Sequence, residues 1–407
     1  MYQENKNNIK YPIKIASLFS GCGGLDLGFE KAGFDIMWAN EFDSTIWETF
    51  EHNFPHTKLD KRSILDIHSL DLPQGLHGII GGPPCQSWSE AGANRGINDD
   101  RGKVFFEYIR ILRDLKPLFF LAENVSGILS EMHKQAFDSI ISGFSSIGYN
   151  VTFELLNAKH YNVPQDRERV IIVGYNKIMQ KNFTFPTGSN SLITLKDAIK
   201  DLPEPVPAQQ FNKTNGLSLK IKNHEYMNGG FSSIYMSRNR VRGWDEQSFT
   251  IQAGGRHAPI HPKAPRMKFI EQNKRVFVPG KEHLYRRLSV RECARIQTFP
   301  DNFTFYYKDI SDGYKMVGNA VPVEFAKAIA NKIMIDIQEY IIGINQYTKS
   351  FTQPAITFRA SSPLTKYFQE IQKKLKKKYK KYSKIAKTKS LKQKKTKKRA
   401  KIYAKSN

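Results

Sequence analysis

Apolar and polar positions follow two rhythms over the first half of the chain. Short runs rich in β-branched and aromatic residues alternate with longer stretches whose apolar residues recur every three or four positions, the pattern of strands and helices layered in an α/β sheet. Residues 13–19 read as a strand and 25–32 as a helix that stops at Gly33. A strand at 34–39, a helix near 44–50 and a short strand at 78–80 follow, the last running into Gly81-Gly82-Pro83-Pro84, which can continue neither sheet nor helix. Val104, Tyr108, Ile111 and Leu115 predict a helix over 103–115, which Pro117 closes ahead of a strand at 118–122. Cys85 is then expected at the tip of one strand and Glu123 just past the carboxyl end of the next. Ligands of open α/β sheets bind at that edge, so reactive residues at several strand ends point to one crevice.

After a further strand at 170–174 the rhythm is lost. Residues from about 176 to 285 carry many Pro, Gly, Asn and Arg residues with little helical spacing, and read as a separate, loop-rich domain. Periodicity returns at 290–297 and again at 323–337, where Phe325, Ile329, Ile333 and Ile337 recur behind Pro322. The expected organisation is a first domain over 1–175, the loop-rich domain over 176–285, a return to the first over 286–345, and a tail over 346–407.

The chain has 407 residues, 40% of them apolar and 25% charged, enough for one large or two ordinary domains with a real core. Its three cysteines, Cys22, Cys85 and Cys293, are scattered and odd in number, which excludes a disulfide framework and a Cys-rich zinc site, so no metal is expected. No apolar run approaches the roughly 20 residues of a spanning helix, and the first ten residues are polar, without a signal core. A soluble intracellular protein in a reducing setting is expected, with no membrane partner.

Charge is uneven. Of the net +25, residues 361–407 hold +18, with 19 Lys and Arg and one acid, Glu370. Runs such as Lys376-Lys377-Lys378 and Lys397-Lys398-Arg399 have no apolar face to fold on, so this tail is expected to be disordered, or helical only when bound. It reads as an electrostatic, sequence-independent anchor to DNA, with Tyr367, Phe368, Tyr379, Tyr382 and Tyr403 available for stacking. Plain solvated charge and a nuclear address are the competing readings.

Three clusters carry candidate chemistry. Phe19-Ser20-Gly21-Cys22-Gly23-Gly24-Leu25 joins a strand to a helix, and its glycines would let backbone approach a ligand at the helix amino end. Glu41 follows 20 residues after Gly21, where a carboxylate meets ribose hydroxyls. Together they suggest an adenosine-containing cofactor, and the spacing disfavours a dinucleotide; a tight turn and a solvated acid remain the alternative. Cys85 in its rigid turn is a candidate nucleophile, although a lone cysteine is more often inert and buried, the reading given to Cys22 and Cys293. Glu123 could protonate a ring nitrogen, and Arg167 and Arg169 could hold a carbonyl oxygen; singly, they would be a solvated acid and a surface ion-pair ladder.

In this order these blocks resemble the cytosine-C5 DNA methyltransferases over residues 13–340. The matching residues are Phe19-Ser20-Gly21-Cys22-Gly23-Gly24, Pro84-Cys85-Gln86, Glu123-Asn124-Val125, Gln165-Asp166-Arg167-Glu168-Arg169, residues 287–300 and Gly318-Asn319-Ala320-Val321-Pro322. The chain looks most like the HaeIII type, which modifies GGCC, through residues 81–90, 236–244 with 248–252, and 281–295. The resemblance implies a Rossmann-like S-adenosylmethionine-dependent methyltransferase domain with a smaller loop-rich target-recognition domain. It implies a Cys85 thiolate attacking carbon 6 of a flipped cytosine, Glu123 protonating nitrogen 3, and Arg169, aided by Arg167, binding the 2-carbonyl. For the cofactor it implies Phe19 and Phe42 about the adenine, with Ile64 nearby, the backbone of Gly21, Gly23, Gly24 and Leu25 at the methionine end, Glu41 on the ribose and Asn319 near the methionine carboxylate. One departure is Ser63, which stands where the family usually has an adenine-binding aspartate, with Asp66 three residues out of register.

For DNA contact the expected residues are Arg238, Asn239, Arg240, Arg242 and Arg256, with Arg240 and Arg242 as base readers, because arginine pairs bidentately with guanine; phosphate contact without base choice is the alternative. The expected partners are double-stranded DNA and a cognate restriction endonuclease acting on the same site, and the expected setting is the bacterial cytoplasm beside the nucleoid, with a monomer acting on each strand in turn. An RNA cytosine methyltransferase and a catalytically dead DNA-binding module are the competing functions.

Overall fold

The structure is a computed structural model that describes residues 11–84 and 100–352. Cys85 and the basic tail lie outside the described residues. The chain divides into two units at Ile344, and of the second, Asn345–Asn407, only the end of a helix is described.

The first strand, β1 (Ile13–Leu18), hides all but one of its six residues, as expected of a strand covered on both faces. It is followed by α1 (Gly24–Lys31), β2 (Phe34–Asn40), α2 (Trp47–Asn53), β3 (Lys58–Asp60) and β4 (Gly78–Gly81). Then come α3 (Asp100–Leu115), β5 (Phe119–Val125), α4 (Lys134–Ser146), β6 (Tyr149–Asn157) and β7 (Glu168–Asn176). These strands form one seven-stranded sheet in the order β3-β2-β1-β4-β5-β7-β6. The first five pair in parallel, and β7 runs antiparallel between β5 and β6. Strand order reverses between β1 and β4, so the loops leaving their carboxyl ends part there and open a crevice.

Both faces of the sheet are covered. On one, α1 packs with the last helix, α8 (Val323–Thr352), whose Phe325, Ile329, Ile333 and Ile337 are buried at the spacing read from the sequence. On the other, α3 and α4 bury Tyr108, Ile111, Phe137, Ile140 and Phe144. Residues 176–285 hold a five-residue helix, α5 (Leu195–Ile199), and two strand pairs, β8 (Val206–Pro207) with β9 (Glu225–Tyr226) and β10 (Lys268–Glu271) with β11 (Lys274–Val276). A small separate core of Tyr235, Val241, Ile260, Ala264, Met267 and Tyr285 holds the loops of this segment. After it, α6 (Val290–Ile296) and α7 (Ile310–Asn319) return to the main body against α2 and α5.

Three expectations need correcting. The helix expected from residue 44 begins at Trp47, because Asp43 accepts from the Thr45 amide and hydroxyl and turns the chain first. The strand expected to end at Ala122 runs on to Val125, because β7 continues to pair with it after β4 has ended, so Glu123 lies inside a strand, opposite Ile171. The last helix extends past Ile337 to Thr352.

The contact between α1 and α8 depends on Gly28, where an added Cβ would sit 2.4 Å from the Ala326 Cβ and 2.8 Å from backbone of α8. Gly28→Ala gains helix propensity of about 1 kcal/mol but overpacks the interface, so a net loss of stability of about 1–2 kcal/mol is expected by urea unfolding.

Candidate functional site

The crevice contains a cavity of about 570 Å³, a size suited to a nucleoside-bearing cofactor. Its first wall is the loop between β1 and α1. Three residues there take left-handed backbone, Phe19 (φ 55°), Gly21 (φ 55°) and Gly23 (φ 91°), and of these only Phe19 carries a side chain that resists it. The loop is held from below by β2. The Ser20 amide donates to the Asn40 carbonyl at 3.0 Å, and the Gly21 amide donates to Glu41 Oε2 at 2.9 Å. Glu41 Oε1 accepts from the Asp43 amide at 2.7 Å. Burial pushes the Glu41 carboxyl up, and these two amides pull it back.

The second wall comes from the ends of β4 and β5 and from the loop after α7. Gly82, Pro83, Pro84, Glu123, Asn124, Val125, Asn319, Ala320 and Val321 line it. Asn124 ties the two strand ends together by donating to the Pro83 carbonyl at 3.1 Å. Cys85 follows Pro84 directly in the chain and lies outside the described residues. Arg169 Nε holds Glu123 Oε1 at 2.8 Å, and its Nη1 donates to the Glu168 carbonyl at 2.7 Å. The other carboxylate oxygen, Oε2, faces Gly82, where an added Cβ would lie 3.3 Å from it.

Arg167 and Arg169 therefore do different things. Arg167 is 1% exposed, and its guanidinium donates to the carbonyls of Ile251, Gly318 and Ala320, each at 3.0 Å. Burial, with Arg169 nearby, lowers its pKa to about 9, still charged at neutral pH. Both Nη groups of Arg167 are held by backbone carbonyls, its Nε has no partner among the described residues, and of the two arginines it is Arg169 that pairs with Glu123.

The structure brings most of the expected cofactor residues together. Phe19, Gly21, Gly24, Leu25, Glu41 and Asn319 line the cavity. Gly23 does not, and its missing side chain makes room for the Phe54 ring, which an added Cβ would meet at 2.1 Å. Phe42 is 71% exposed and is not on the cavity wall, since Glu41 and Asp43 turn inward on either side of it. Ile64 is buried in the core under α3 instead. Neither Ser63 nor Asp66 lines the cavity, and Ser63 caps its own turn by accepting from the Leu65 amide at 3.3 Å. The apolar ring, the glycine-rich backbone and the carboxylates on the wall fit an adenosine joined to an amino acid. Cys22 is buried, donates to the Met316 carbonyl at 3.3 Å, and has its thiol pushed well up by burial, so it is inert.

Asp26, Ser17, Asp43 and Met316 also line the cavity, and no sequence pattern points to them. Lys315 on α7 pairs with Asp43 at its edge. Asp26 is the notable omission, a wholly buried carboxylate in the first turn of α1. Its position between apolar Leu25 and Leu27 gives no sign that it faces inward.

The expected DNA residues divide by how they are used. Arg238 and Arg256 are exposed, with no hydrogen bond or ion pair among the described residues. Arg240 lies over the Tyr235 ring at 4.8 Å and donates to the Tyr235 carbonyl at 2.9 Å. Arg242 is committed to Glu246 at 3.3 Å and Asp166 at 3.9 Å, and stacks on Phe249 at 4.3 Å. Asn239 uses both ends of its amide internally, donating to the Val241 carbonyl and accepting from the Met267 amide. In the absence of DNA, Asn239 and Arg242 are thus engaged within the fold, Arg242 through its Nη groups.

Comparison with known proteins identifies the family. A family model described as C-5 cytosine-specific DNA methylase matches residues 13–335. Type II methyltransferase M.MthTI of Methanothermobacter thermautotrophicus is 56% identical over 326 residues, covering 80% of this chain and 98% of that protein. Type II methyltransferase M.NgoPII of Neisseria gonorrhoeae is 55% identical, covering 79% and 95%. Among solved structures, a DNA modification methyltransferase encoded within an Escherichia coli prophage superposes with a TM-score of 0.62 at 24% identity, over 80% of this chain and 99% of that one, a likeness of fold.

The narrow space between Gly82 and Glu123 gives a direct test. Gly82→Ala needs no strained backbone but shifts Glu123 Oε2 by a few tenths of an ångström. A fall in kcat of roughly threefold to tenfold is expected, with the unfolding midpoint unchanged, measured by steady-state methyl transfer and thermal denaturation.

Proposed function

The chain belongs to the C-5 cytosine-specific DNA methylase family, as an S-adenosylmethionine-dependent DNA (cytosine-5-)-methyltransferase of the Type II restriction-modification kind, and from that premise we propose that it methylates the inner cytosine of GGCC after rotating it out of the duplex, with Cys85 as nucleophile. The observation that carries this reading is the Glu123–Arg169 pair, an acid and a cation beside the turn that leads into Cys85 and on the wall of the cofactor cavity. Flipping is required because the ring atoms are out of reach in a stacked duplex. The division of residues into a catalytic part, 1–175 with 286–345, and a recognition part, 176–285, belongs to the same proposal.

Each chemical role follows from residue type and position. The Cys85 thiolate adds to carbon 6 of the cytosine, and the electron pair it brings must be accommodated on the ring. Glu123 delivers a proton to nitrogen 3, and Arg169, which already orients Glu123 through Nε, binds the 2-carbonyl oxygen; together they make an enamine rather than a carbanion. Carbon 5 is then nucleophilic. Phe19, the backbone of Gly21, Gly24 and Leu25, Glu41 and Asn319 would hold S-adenosylmethionine, which when bound would supply the electrophilic methyl group. Loss of the carbon 5 proton restores the ring and expels the Cys85 sulfur. Arg167 keeps the returning loop at residues 318–320 against this wall.

The +18 tail adds a sequence-independent attraction for phosphate that weakens steeply with salt. A cognate endonuclease cutting the same site would make this enzyme the protective half of the pair.

Labelled methyl transfer is expected to GGCC duplexes and not to scrambled duplexes or tRNA. Cys85→Ala should abolish it by on the order of a thousandfold or more. Given S-adenosylmethionine, a GGCC duplex carrying 5-fluorocytosine should become covalently trapped, because after methyl transfer no carbon 5 proton can leave and the Cys85 sulfur is not expelled. Undiminished transfer by Cys85→Ala would refute the mechanism, and label on tRNA alone would replace the substrate. Among the arginines, Arg238→Ala and Arg256→Ala should each lower discrimination between GGCC and single-mismatch sites by about 1–3 kcal/mol. Arg242→Ala should lower stability and leave that discrimination intact, as read by competition binding and thermal unfolding.

A further inference from the structure

Asp26 has no part in the mechanism above. It is wholly buried in the first turn of α1 and lines the cavity beside Ser17, Ser20 and Glu41. By distance and angle neither of its carboxylate oxygens makes a full hydrogen bond among the described residues, and the donors that act on it are the Ser17 hydroxyl and its own backbone amide, both neutral. The charged groups that act on it are of its own sign, Glu30 on the same helix and Glu41 at the end of β2, and the Cys22 thiol lies in the adjoining loop. Where α8 packs on α1, Glu324 is paired with both Lys31 and Lys327, and among the described residues no cation offsets the burial of Asp26. Burial, reinforced by Glu30 and Glu41 and opposed by the Ser17 hydroxyl, raises its carboxyl from the ordinary 3.8 to about 7.

A carboxylate taken from water with only a hydroxyl and an amide beside it is costly unless a cation comes to it. The helix amino end offers only part of that compensation. The missing positive charge matches the ligand of this cavity. S-Adenosylmethionine carries a sulfonium, and its product S-adenosylhomocysteine differs in having a neutral sulfur. We propose that Asp26 is the buried counter-charge of the cofactor cavity, a positioning residue that favours the sulfonium ligand over its neutral-sulfur product and gives up its proton to solvent when the cation enters.

This rests on the assignment of the cavity to S-adenosylmethionine. Its consequence is a preference that helps the spent product leave, set by charge rather than by shape. By linkage, a ligand that prefers the ionised carboxylate must release protons on binding at any pH where the free protein holds them. Affinity for the sulfonium ligand therefore rises as pH passes upward through about 7, and affinity for the product rises less.

Calorimetric titration of the full chain with both ligands, in buffers of different ionisation enthalpy, reads this proton release directly. At about pH 6.5, close to the folded value of Asp26, the wild type is expected to release more protons with S-adenosylmethionine than with S-adenosylhomocysteine. In Asp26→Asn that difference should vanish, and the preference between the two ligands at about pH 8.5 should fall roughly tenfold. The unliganded variant supplies a second reading. A carboxyl raised in the folded state contributes stability that is lost as pH rises from about 4 through about 7. Asp26→Asn should escape that loss, so its melting temperature relative to wild type rises over this window. Equal proton release by the two ligands in the wild type overturns the proposal, a comparison that stands even if the variant does not fold. A difference that survives in Asp26→Asn also overturns it, because another group such as Glu41 then carries the proton. Failure of both ligands to bind would instead overturn the assignment of the cavity.

Discussion

A single buried guanidinium joins the stretches of chain that must meet for this site to exist. Arg167 stands at the entry to β7, and it donates to Ile251 in the loop-rich segment and to Gly318 and Ala320 at the end of α7. These partners are 84, 151 and 153 residues away in sequence. Gln165 and Gln297 reinforce the same junction through a 2.7 Å bond between their amides, and Gln297 reaches the Val317 carbonyl at 2.8 Å. Carbonyl oxygens hold both Nη groups of this cation with no ion pair among the described residues, and burial depresses the guanidinium while the nearby Glu123 charge partly offsets it. Lysine could not hold these carbonyls in the same way, since its three donors radiate from one point and guanidinium donors spread in a plane.

What the junction stabilises is a cavity with two unlike walls. The loop after β1 presents backbone amides and a strained Phe19, and its geometry is set by β2 through Asn40 and Glu41. The facing wall presents an acid and a guanidinium from antiparallel neighbours, β5 and β7, whose register puts Val125 opposite Arg169 and Glu123 opposite Ile171. The ion pair therefore crosses a two-residue diagonal of the sheet, within reach of long side chains. A parallel continuation of the sheet would have lacked that register. The antiparallel β7 thus sets the spacing of the two groups assigned to proton delivery and carbonyl binding.

Much of this frame was legible in the chain. Alternation located β1, β2 and β5 within a few residues, and the fourfold recurrence of Phe325, Ile329, Ile333 and Ile337 identified the buried face of α8. The glycine loop, Glu41 and Asn319 could be placed because backbone approach and strand-end position leave local marks in sequence. The residues whose place the sequence does not reveal have their surroundings fixed by distant chain. Arginine is expected at the surface, so nothing local marks Arg167 as buried. Phe42 resembles a stacking residue by its place beside Glu41, but inward turning of its neighbours sends it to solvent. The extension of β5 required knowing that an antiparallel strand would lie against it, and Asp26 required knowing which side of α1 faces the crevice.

The loop-rich segment makes the same point about charge. Its small core holds only a few apolar residues, and arginines stack among them. Arg287 lies over the Phe231 ring at 4.1 Å while donating to the Gly229 and Gly230 carbonyls at 3.0 and 2.7 Å. Arg240 covers Tyr235, and Arg242 covers Phe249. Guanidinium planes here do what aliphatic side chains do in a larger core, closing rings against solvent while satisfying loop carbonyls that no sheet ladder satisfies. A basic segment is therefore no measure of its DNA contacts, because part of the charge holds the loops in shape. Among the described residues of the stretch 236–252 and of residue 256, the arginines that the fold does not engage are Arg238 and Arg256.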